Sequence, residues 1–258
     1  MPLQIVPVTA EHYPAVNAFL RRSPYRNAIT LAFLYRRNGS VSIRAALSNY
    51  VVVGVAAVWH DGSPVRLSFT VDVPQALPML LEALAMDNPE LWNRPFEIVM
   101  PVAHVPLLTN TAHLESVHFL YQMVVEPETL HPIAQPPARR IQKDDVQAVK
   151  DLRATAAPWQ IWTPDSVPAF GVFAADGSLL ATAVTCFATG DVVELGWAMQ
   201  TGSLPALQSA LSALIQSCFS ITSRVYLFVD ATDSTLFDAC RRLGFWPAER
   251  FIWATTRL

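Results

Sequence analysis

The sequence predicts an α/β (α+β) chain of two consecutive modules, each built on a mixed, mostly antiparallel sheet. Three observations support this fold class. First, the 258 residues are 52% hydrophobic and 15% charged, a composition that fills buried cores and argues against disorder. Second, both halves of the chain show strand and helix patterns in a similar order. Third, a segment with four prolines in twelve residues (126–137) separates the halves.

The proline-rich segment marks the predicted domain boundary. Proline fixes φ and lacks a backbone donor, so this composition favours an extended connector. We therefore expect one module at residues 1–128, a linker at 129–137 and a second module at 138–258.

The second half predicts the element order β-α-β-β-β-α-β-α-β. Apolar residues three or four positions apart indicate its helices, and apolar runs bounded by turn residues indicate its strands. The last helix is expected to end at Gly244, a favourable residue just after a helix. The predicted elements are residues 139–142, 143–154, 169–174, 179–188, 192–199, 204–220, 224–230, 234–243 and 251–256.

The first half repeats this order more loosely. Asp61-Gly62-Ser63 and Asp176-Gly177-Ser178 lie at comparable places in the two halves, which suggests an ancient duplication. The predicted strands are residues 3–7, 43–47, 51–60, 65–72, 96–100 and 118–125. The predicted helices are residues 11–22, 23–36, 76–86 and 102–113.

Composition argues against several functional classes. The net charge of −3 is divided evenly, with 8 basic and 10 acidic residues in 1–130, so we expect no nucleic-acid partner. The longest apolar run has ten residues (50–59), whereas a membrane helix needs about 20. The start of the chain has no signal-peptide pattern, so we expect no membrane partner.

The cysteine and histidine patterns indicate a cellular compartment and argue against a metal site. Cys186, Cys218 and Cys240 are odd in number and scattered, which favours a reducing cytoplasm. None of the six histidines has ligand spacing, so no metal is expected. Hydrolase, nucleotide-triphosphatase and dinucleotide-binding glycine motifs are also absent from the sequence.

One stretch near the C-terminus carries a family motif. Val229-Asp230 is followed by Asp233, Leu236, Cys240 and Leu243-Gly244-Phe245. This spacing resembles the closing motif of the GNAT (GCN5-related N-acetyltransferase) superfamily, in which an asparagine and a tyrosine stand at the positions of Asp233 and Cys240. The resemblance covers residues 138–258 as sequence and residues 1–128 as element order. It implies a tandem GNAT protein with a degenerate N-terminal module and helices on both faces of each sheet.

The resemblance also implies acetyl-CoA as co-substrate, with its pyrophosphate held by backbone N–H groups where a helix follows residues 192–199. The family loop there is rich in glycine, but residues 203–208 read Ser-Leu-Pro-Ala-Leu-Gln. Pro205 removes a donor and Leu204 adds bulk, so we expect weakened or relocated binding. The expected cofactor contacts are Ala198, Met199 and Gln200 along the strand, with Ser203, Leu204, Ala206 and Asp233. No such loop follows residues 65–72, so the first module is expected to be non-catalytic.

The resemblance suggests two catalytic residues, and each has a structural alternative. Glu194 lies on the strand where the family often carries its general base, and by alternation it faces away from Val193 and Leu195; the alternative is a solvated or salt-bridged strand residue. Cys240 stands where the family tyrosine protonates the leaving thiolate, and packing in the core is favoured for it. For Asp233, capping of the following helix is favoured over ligand contact.

Two aromatic residues and an arginine cluster are further candidates. Trp159 and Trp162 lie in a segment that often walls the acceptor site in the family, and packing is an equal alternative. The arginines of the first helical region are a candidate anion clamp, although a solvated helix face is favoured. They are Arg21, Arg22, Arg26, Arg36 and Arg37.

These inferences lead to two candidate functions. The first is transfer of an acetyl or other acyl group from CoA to an amine of a small molecule or peptide, in the cytoplasm, with a homodimer as a candidate assembly. The second is a catalytically inactive GNAT-derived ligand-binding or structural protein.

Overall fold

A computed structural model describes residues 2–36, 39–60, 65–89, 94–109, 112–156 and 168–257. The chain forms two compact units. The first unit comprises Met1–Phe119 and Arg250–Leu258, and the second comprises Leu120–Glu249. Trp159, Trp162, Arg37 and the turn at 61–63 lie outside the described residues.

The first unit contains most of the predicted elements of the first half. Its strands are β1 (Gln4–Pro7), β2 (Val41–Ser48), β3 (Val51–Trp59), β4 (Val65–Val71) and β5 (Phe96–Pro101). Its helices are α1 (Tyr13–Arg21), α2 (Ala28–Tyr35), α3 (Ala76–Asp87) and, after a 3₁₀ turn at Val102–His104, α4 (Val105–Thr109). The long strand β6 (His113–Val125) then begins in the first unit and ends in the second.

The second unit follows the order predicted for the second half. Its strands are the end of β6, β7 (Arg139–Arg140), β8 (Ala169–Phe173), β9 (Leu179–Ala188), β10 (Val193–Met199) and β11 (Val225–Asp230). Its helices are α5 (Val146–Arg153), which follows a 3₁₀ turn at Lys143–Asp145, α6 (Leu204–Cys218) and α7 (Ser234–Arg242). The chain closes with β12 (Trp246–Arg257).

Among the strand pairs of the described residues, each unit has one parallel pair, and the others are antiparallel. In the first unit the strand order is β1-β2-β3-β4-β5-β12, and β4 and β5 are parallel. In the second unit the order is β6-β11-β10-β9-β8-β7, and β10 and β11 are parallel. The predicted fold class of mixed, mostly antiparallel sheets is confirmed.

The final strand of each half pairs differently from what sequence order suggests. Residues 251–256 were expected to close the second module, but they pair antiparallel with β5 of the first unit. Leu120–Val125 lie before the expected boundary, yet they pair antiparallel with β11 of the second unit. A strand pattern specifies an extended, half-buried segment, whereas its partner is chosen by tertiary packing.

The core of the first unit lies on both faces of its sheet. Ala45 packs with the residues of α1 and α2, whereas the next residue, Ala46, packs with α3. Because successive side chains of a strand point to opposite faces, the helices cover both faces. In the second unit, α6 and α7 pack against Val193, Leu195 and their neighbours on β11.

The proline-rich segment is packed onto the second unit. The backbone N–H of His131 donates to the carbonyl of Leu243 at 2.9 Å. The N–H of Ile133 donates to Oγ of Ser212 on α6 at 2.9 Å, and the side chain of Ile133 joins the α6 core. The segment is therefore an extended part of this unit rather than a solvated tether.

No helix in the described part of the chain is long and apolar enough to cross a membrane.

Gly244 supports this packing because no side chain fits at its position. Its φ is +94°, and a Cβ placed on it would lie 1.6 Å from the carbonyl oxygen of Thr129. We expect Gly244→Ala to lower the free energy of unfolding by more than about 2 kcal/mol, through left-handed strain and displacement of the neighbouring backbone.

Urea unfolding of the Gly244→Ala variant and of a Gly190→Ala control measures this effect. A Cβ at Gly190 meets nothing within 4 Å, so the control should change stability by less than about 1 kcal/mol. Equal effects of the two substitutions would contradict the proposed role of the Thr129 contact.

Candidate functional site

The candidate site lies where the two parallel strands of the second unit separate. β10 and β11 pair at Val193 with Val225 and at Glu194 with Tyr226. No further pair joins these two strands in the described structure, although β10 continues to Met199 and β11 to Asp230. The register of β10 against β9 also shifts between Glu194 and Leu195. The strands therefore open into a wedge beyond the Glu194–Tyr226 pair.

The backbone groups that line this wedge follow from the β9–β10 ladder. The N–H of Gln200 donates to the carbonyl of Leu180 at 2.9 Å, so the N–H of Gln200 points toward β9. Hydrogen-bonded and non-hydrogen-bonded pairs alternate along an antiparallel ladder. Ala198 is two residues before Gln200, so its N–H and C=O groups also point toward β9. The N–H and C=O groups of the alternate residues, Trp197 and Met199, therefore point into the wedge.

This geometry revises which strand residues offer backbone groups to a ligand. Of the three residues expected from the sequence, Met199 faces the wedge, while Ala198 and Gln200 do not. The carbonyl of Gln200 accepts from the N–H of Ser203 at 3.1 Å, and its side-chain Nε2 donates to Leu179 at 2.9 Å. Trp197 was missed because the sequence does not reveal the phase of the ladder.

Helix α6 begins beside the end of β10. Ser203 is the N-cap residue and makes no capping hydrogen bond with its side chain. The N–H of Leu207 bonds to the carbonyl of Ser203, and Pro205 has no N–H. The first turn of a helix leaves its early N–H groups without intrahelical partners. In the described structure, no backbone acceptor bonds to the N–H groups of Leu204 and Ala206. These two N–H groups can therefore bind an anion.

A buried pair of polar side chains lies at the closed end of the wedge. Glu194 is 2% exposed, and Tyr226 is fully buried. The hydroxyl of Tyr226 donates a short hydrogen bond to Oε2 of Glu194, and its ring contacts those of Phe187 and Phe228. Burial, followed by the negative charge and hydrogen bond of Glu194, raises the pKa of Tyr226 well above its ordinary value. Tyr226 therefore remains a proton donor near neutral pH.

Solved structures with this architecture cover almost the whole chain. A GCN5-related N-acetyltransferase from Sphaerobacter thermophilus has a TM-score of 0.70 at 14% identity, covering 98% of this chain and 95% of that one. A tandem GNAT protein from the clavulanic acid biosynthesis pathway has a TM-score of 0.63 at 14% identity, covering 98% of both chains. A GCN5-related N-acetyltransferase from Kribbella flavida has a TM-score of 0.56 at 19% identity, covering 97% of this chain and 95% of that one.

The chain has the GNAT fold. No protein-family model matches the sequence, and comparison with curated proteins gives no significant match. The likeness in fold covers 97–98% of the chain, so it includes both units and not only the second.

Tyr226 is a second residue of the candidate site, besides Trp197, that the sequence did not predict. A signal for it was present, since Val193-Glu194-Leu195 and Val225-Tyr226-Leu227 place a polar residue at the second position of two apolar strands. Parallel register sets those two positions side by side. A buried glutamate needs a hydrogen-bond donor, and the neighbouring strand supplies it.

Cys240 and Asp233 occupy structural positions in α7. Cys240 is completely buried among Leu236, Leu243 and other core residues. Burial, with a smaller effect of the Asp233 charge, raises the pKa of its thiol to about 12. Oδ1 of Asp233 accepts from the N–H of Leu236 at 2.9 Å, which confirms the predicted N-cap. Both observations favour packing and capping over ligand contact.

The first GNAT unit carries different chemistry at the equivalent strand positions. β4 and β5 also pair in parallel only at their starts, and the second pair joins Arg66 and Glu97. Nε of Arg66 donates to Oε2 of Glu97 at 3.0 Å. Burial raises the pKa of Glu97, although Arg66 opposes the shift. A guanidinium cannot accept a proton, so the position of Glu194 holds no base in this unit.

The remaining candidates are dispersed. Arg22 pairs with Asp72 at 2.7 Å, and Arg36 lies over the ring of Trp59 at 4.6 Å. Among the described residues no group of three or more metal-ligating side chains is arranged to hold an ion. Trp159 and Trp162, the expected acceptor wall, lie outside the described residues.

The burial of Cys240 predicts a loss of stability at alkaline pH. The folded thiol has a pKa of about 12, against an ordinary value of 9.0. The stability that the protonated thiol contributes is therefore fully present below pH 9. Above pH 9 the unfolded chain loses this proton while the folded protein keeps it, so the free energy of unfolding falls. We expect Cys240→Ala to reduce that fall by about 1.4 kcal/mol per pH unit above pH 9.

Urea unfolding of both proteins at intervals from pH 7 to pH 11 measures the two slopes. Between pH 7 and pH 8 the variant should be less stable by a constant amount, because a cavity replaces the thiol. Parallel curves above pH 9 would show that the buried thiol is not protonated as described.

Proposed function

We propose that the second unit transfers the acetyl group of acetyl-CoA to an amine of a small molecule or peptide. The observation that supports this proposal is the opening of β10 from β11, with Glu194 and Tyr226 at its closed end. An extended ligand arm can pair with the edge of β10 beyond Glu194, which pairs with no part of β11 in the described structure, and the carboxylate of Glu194 lies where that arm would end.

The residues of the wedge fit one part of acetyl-CoA better than the other. Outward-directed backbone groups of Trp197 and Met199 suit the amide-bearing pantetheine arm, which would pair as an added strand. The N–H groups of Leu204 and Ala206 suit the pyrophosphate. However, Pro205 removes a donor and no glycine lets the backbone approach closely. We therefore propose binding that is weaker than a glycine-rich loop would provide.

We assign the chain two roles in this reaction: a general base, and a residue that holds this base in position. Acetyl-CoA supplies the activated thioester. Glu194 accepts a proton from the acceptor amine, directly or through water, as the nitrogen forms its bond to the acetyl carbon. Tyr226 orients the carboxylate through its hydrogen bond, and a carboxylate can accept further hydrogen bonds beside that one. Because Cys240 is enclosed in the core, we assign protonation of the departing thiolate to water.

The second candidate is a GNAT-derived protein that binds a ligand or partner without catalysis. The glycine-free loop at residues 203–208 and the cysteine at the tyrosine position of the motif favour it. The acceptor wall at Trp159 and Trp162, a cytoplasmic location and a homodimer remain proposals that either candidate accommodates.

Acetyl-CoA binding separates these candidates. We expect titration of desalted protein with acetyl-CoA to give a micromolar Kd, about −8 kcal/mol, measured by isothermal calorimetry. Desulfo-CoA is the control, and it should bind with similar affinity because the contacts described are to the arm and the pyrophosphate. No heat at millimolar acetyl-CoA would contradict the assignment of this co-substrate.

The role of Glu194 is tested by Glu194→Gln. The amide keeps an acceptor for Tyr226 but cannot take the amine proton, so turnover near neutral pH should fall by about 10²–10⁴-fold. The Kd for acetyl-CoA should stay within about threefold, since backbone groups make the expected contacts.

Steady-state rates across pH, with an amine panel as acceptors, provide the measurement. Asp238→Asn is the matched control, because this carboxylate is exposed on α7 away from the strands. If the Glu194→Gln variant kept wild-type rates at every pH, Glu194 would not be the general base.

A further inference from the structure

The face of the sheet that carries Glu194 is not the face that α6 and α7 cover. Val193, Leu195 and Val225 belong to the core beneath these two helices. Because successive side chains of a strand point to opposite faces, Glu194 and Tyr226 stand on the other face. In the proposed acetyl transfer, the acceptor amine therefore reaches the carboxylate from that other face, while the arm of acetyl-CoA lies between the strands.

Aromatic rings border the carboxylate of Glu194 on this face. Phe187 is directly opposite Glu194 in the β9–β10 ladder, so the two side chains share a face. The ring of Phe187 lies 6.3 Å from that of Tyr226, and the ring of Phe228 lies 5.5 Å from that of Tyr226. Both phenylalanines are buried, so packing holds their rings in place.

Towards the opening of the wedge, Glu194 has a ring on one side and no side chain on the other. The next residue of β10 on this face is Gly196, which is buried and pairs with Val184 of β9. The next residue of β11 on this face is Phe228. Because pairing of β10 with β11 stops at Tyr226, a space opens between the backbone at Gly196 and the ring of Phe228. We call this space the Gly196–Phe228 slot.

The slot lies where the first carbon of an acceptor amine must be. The nitrogen has to be within hydrogen-bonding reach of Glu194 while it attacks the thioester carbon, whose bond to sulfur breaks as the new bond to nitrogen forms. A CH₂ group beside that nitrogen needs little width. A methyl branch on the carbon or on the nitrogen has to displace the ring of Phe228 or the backbone of β10, and closely packed interiors accommodate such additions poorly.

We propose that the Gly196–Phe228 slot restricts the acceptor to a primary amine on an unbranched carbon, with Gly196 and Phe228 as the residues that determine this specificity. The inference rests on the proposed acetyl transfer by the second unit. It favours the terminal amines of alkyl, arylalkyl and lysine side chains. It disfavours the α-amino groups of amino acids other than glycine, because their α-carbon is branched.

Isomeric amines test the slot without a change of charge. n-Butylamine, sec-butylamine and N-methylpropylamine share one formula and one amine group, and benzylamine with α-methylbenzylamine extends the comparison to an aromatic body. We expect kcat/KM at saturating acetyl-CoA to be at least about tenfold higher for each unbranched primary amine than for its branched or N-methylated counterpart, since one methyl group in a tight pocket changes it by about 10–200-fold.

Two outcomes of this comparison contradict the inference in different ways. Equal kcat/KM values within each set would overturn the restriction to unbranched amines and leave the proposed acetyl transfer standing. Turnover of none of these amines by protein that binds acetyl-CoA would contradict the proposed transfer and this inference together.

Substitutions on the two sides of the slot should act in opposite directions. Phe228→Leu removes the ring, so it should raise kcat/KM for sec-butylamine relative to n-butylamine by about tenfold. Gly196→Ala adds a methyl group towards the slot, so it should lower kcat/KM for n-butylamine by about tenfold. The Kd for acetyl-CoA should stay within about threefold in both variants, because neither substitution changes the backbone groups expected to bind the arm.

Phe237→Leu is the matched control. The ring of Phe237 lies 5.1 Å from that of Tyr121 and packs on the core beneath α6 and α7, on the face opposite Glu194. It should change the ratio of kcat/KM for the two butylamines by less than about twofold.

Acetyl-CoA binding confirms that each variant is folded, and either variant alone tests the slot if the other does not fold. An unchanged butylamine ratio in folded Phe228→Leu, or an unchanged kcat/KM in folded Gly196→Ala, would show that the acceptor does not occupy the slot.

Discussion

The separation of β10 from β11 beyond the Glu194–Tyr226 pair is the constraint on which the rest of the candidate site depends. Two parallel strands that remained paired would satisfy each other's backbone groups and leave no room between them. Here the pairing stops after two residues, and the register of β10 against β9 shifts at the same place. The outward backbone groups of Trp197 and Met199 and the entry of α6 then border one opening.

The buried pair of Glu194 and Tyr226 lies at the point where β10 and β11 separate. A carboxylate that is 2% exposed is costly unless a donor reaches it, and the adjacent strand brings Tyr226 within hydrogen-bonding distance. The same strand position in the first unit holds Arg66 opposite Glu97. Both units thus place two mutually satisfied polar side chains where their parallel strands begin to separate. In the second unit the carboxylate is on β10, where the proposed acetyl transfer would need a base; in the first unit a guanidinium takes that place.

The two units therefore illustrate how one scaffold supports different chemistry. Both have a parallel strand pair of limited length and a helix after the first strand of that pair. In the second unit the helix entry keeps the N–H groups of Leu204 and Ala206 for an anion, whereas the bonds of Ala76 and Leu77 close the corresponding entry in the first.

The sequence by itself determined the elements, because periodicity and turn residues are local properties. The strand at Leu179–Ala188 and the helices beginning at Ala76, Leu204 and Ser234 lie where those patterns placed them, and Asp233 caps its helix as its residue type predicts. Tertiary structure alone decided which strands pair, so Leu120–Val125 and residues 251–256 joined other partners than chain order suggested. It also decided the phase of the β9–β10 ladder and the meeting of Glu194 with Tyr226. These contacts join residues far apart in the chain, and no local pattern fixes a long-range register.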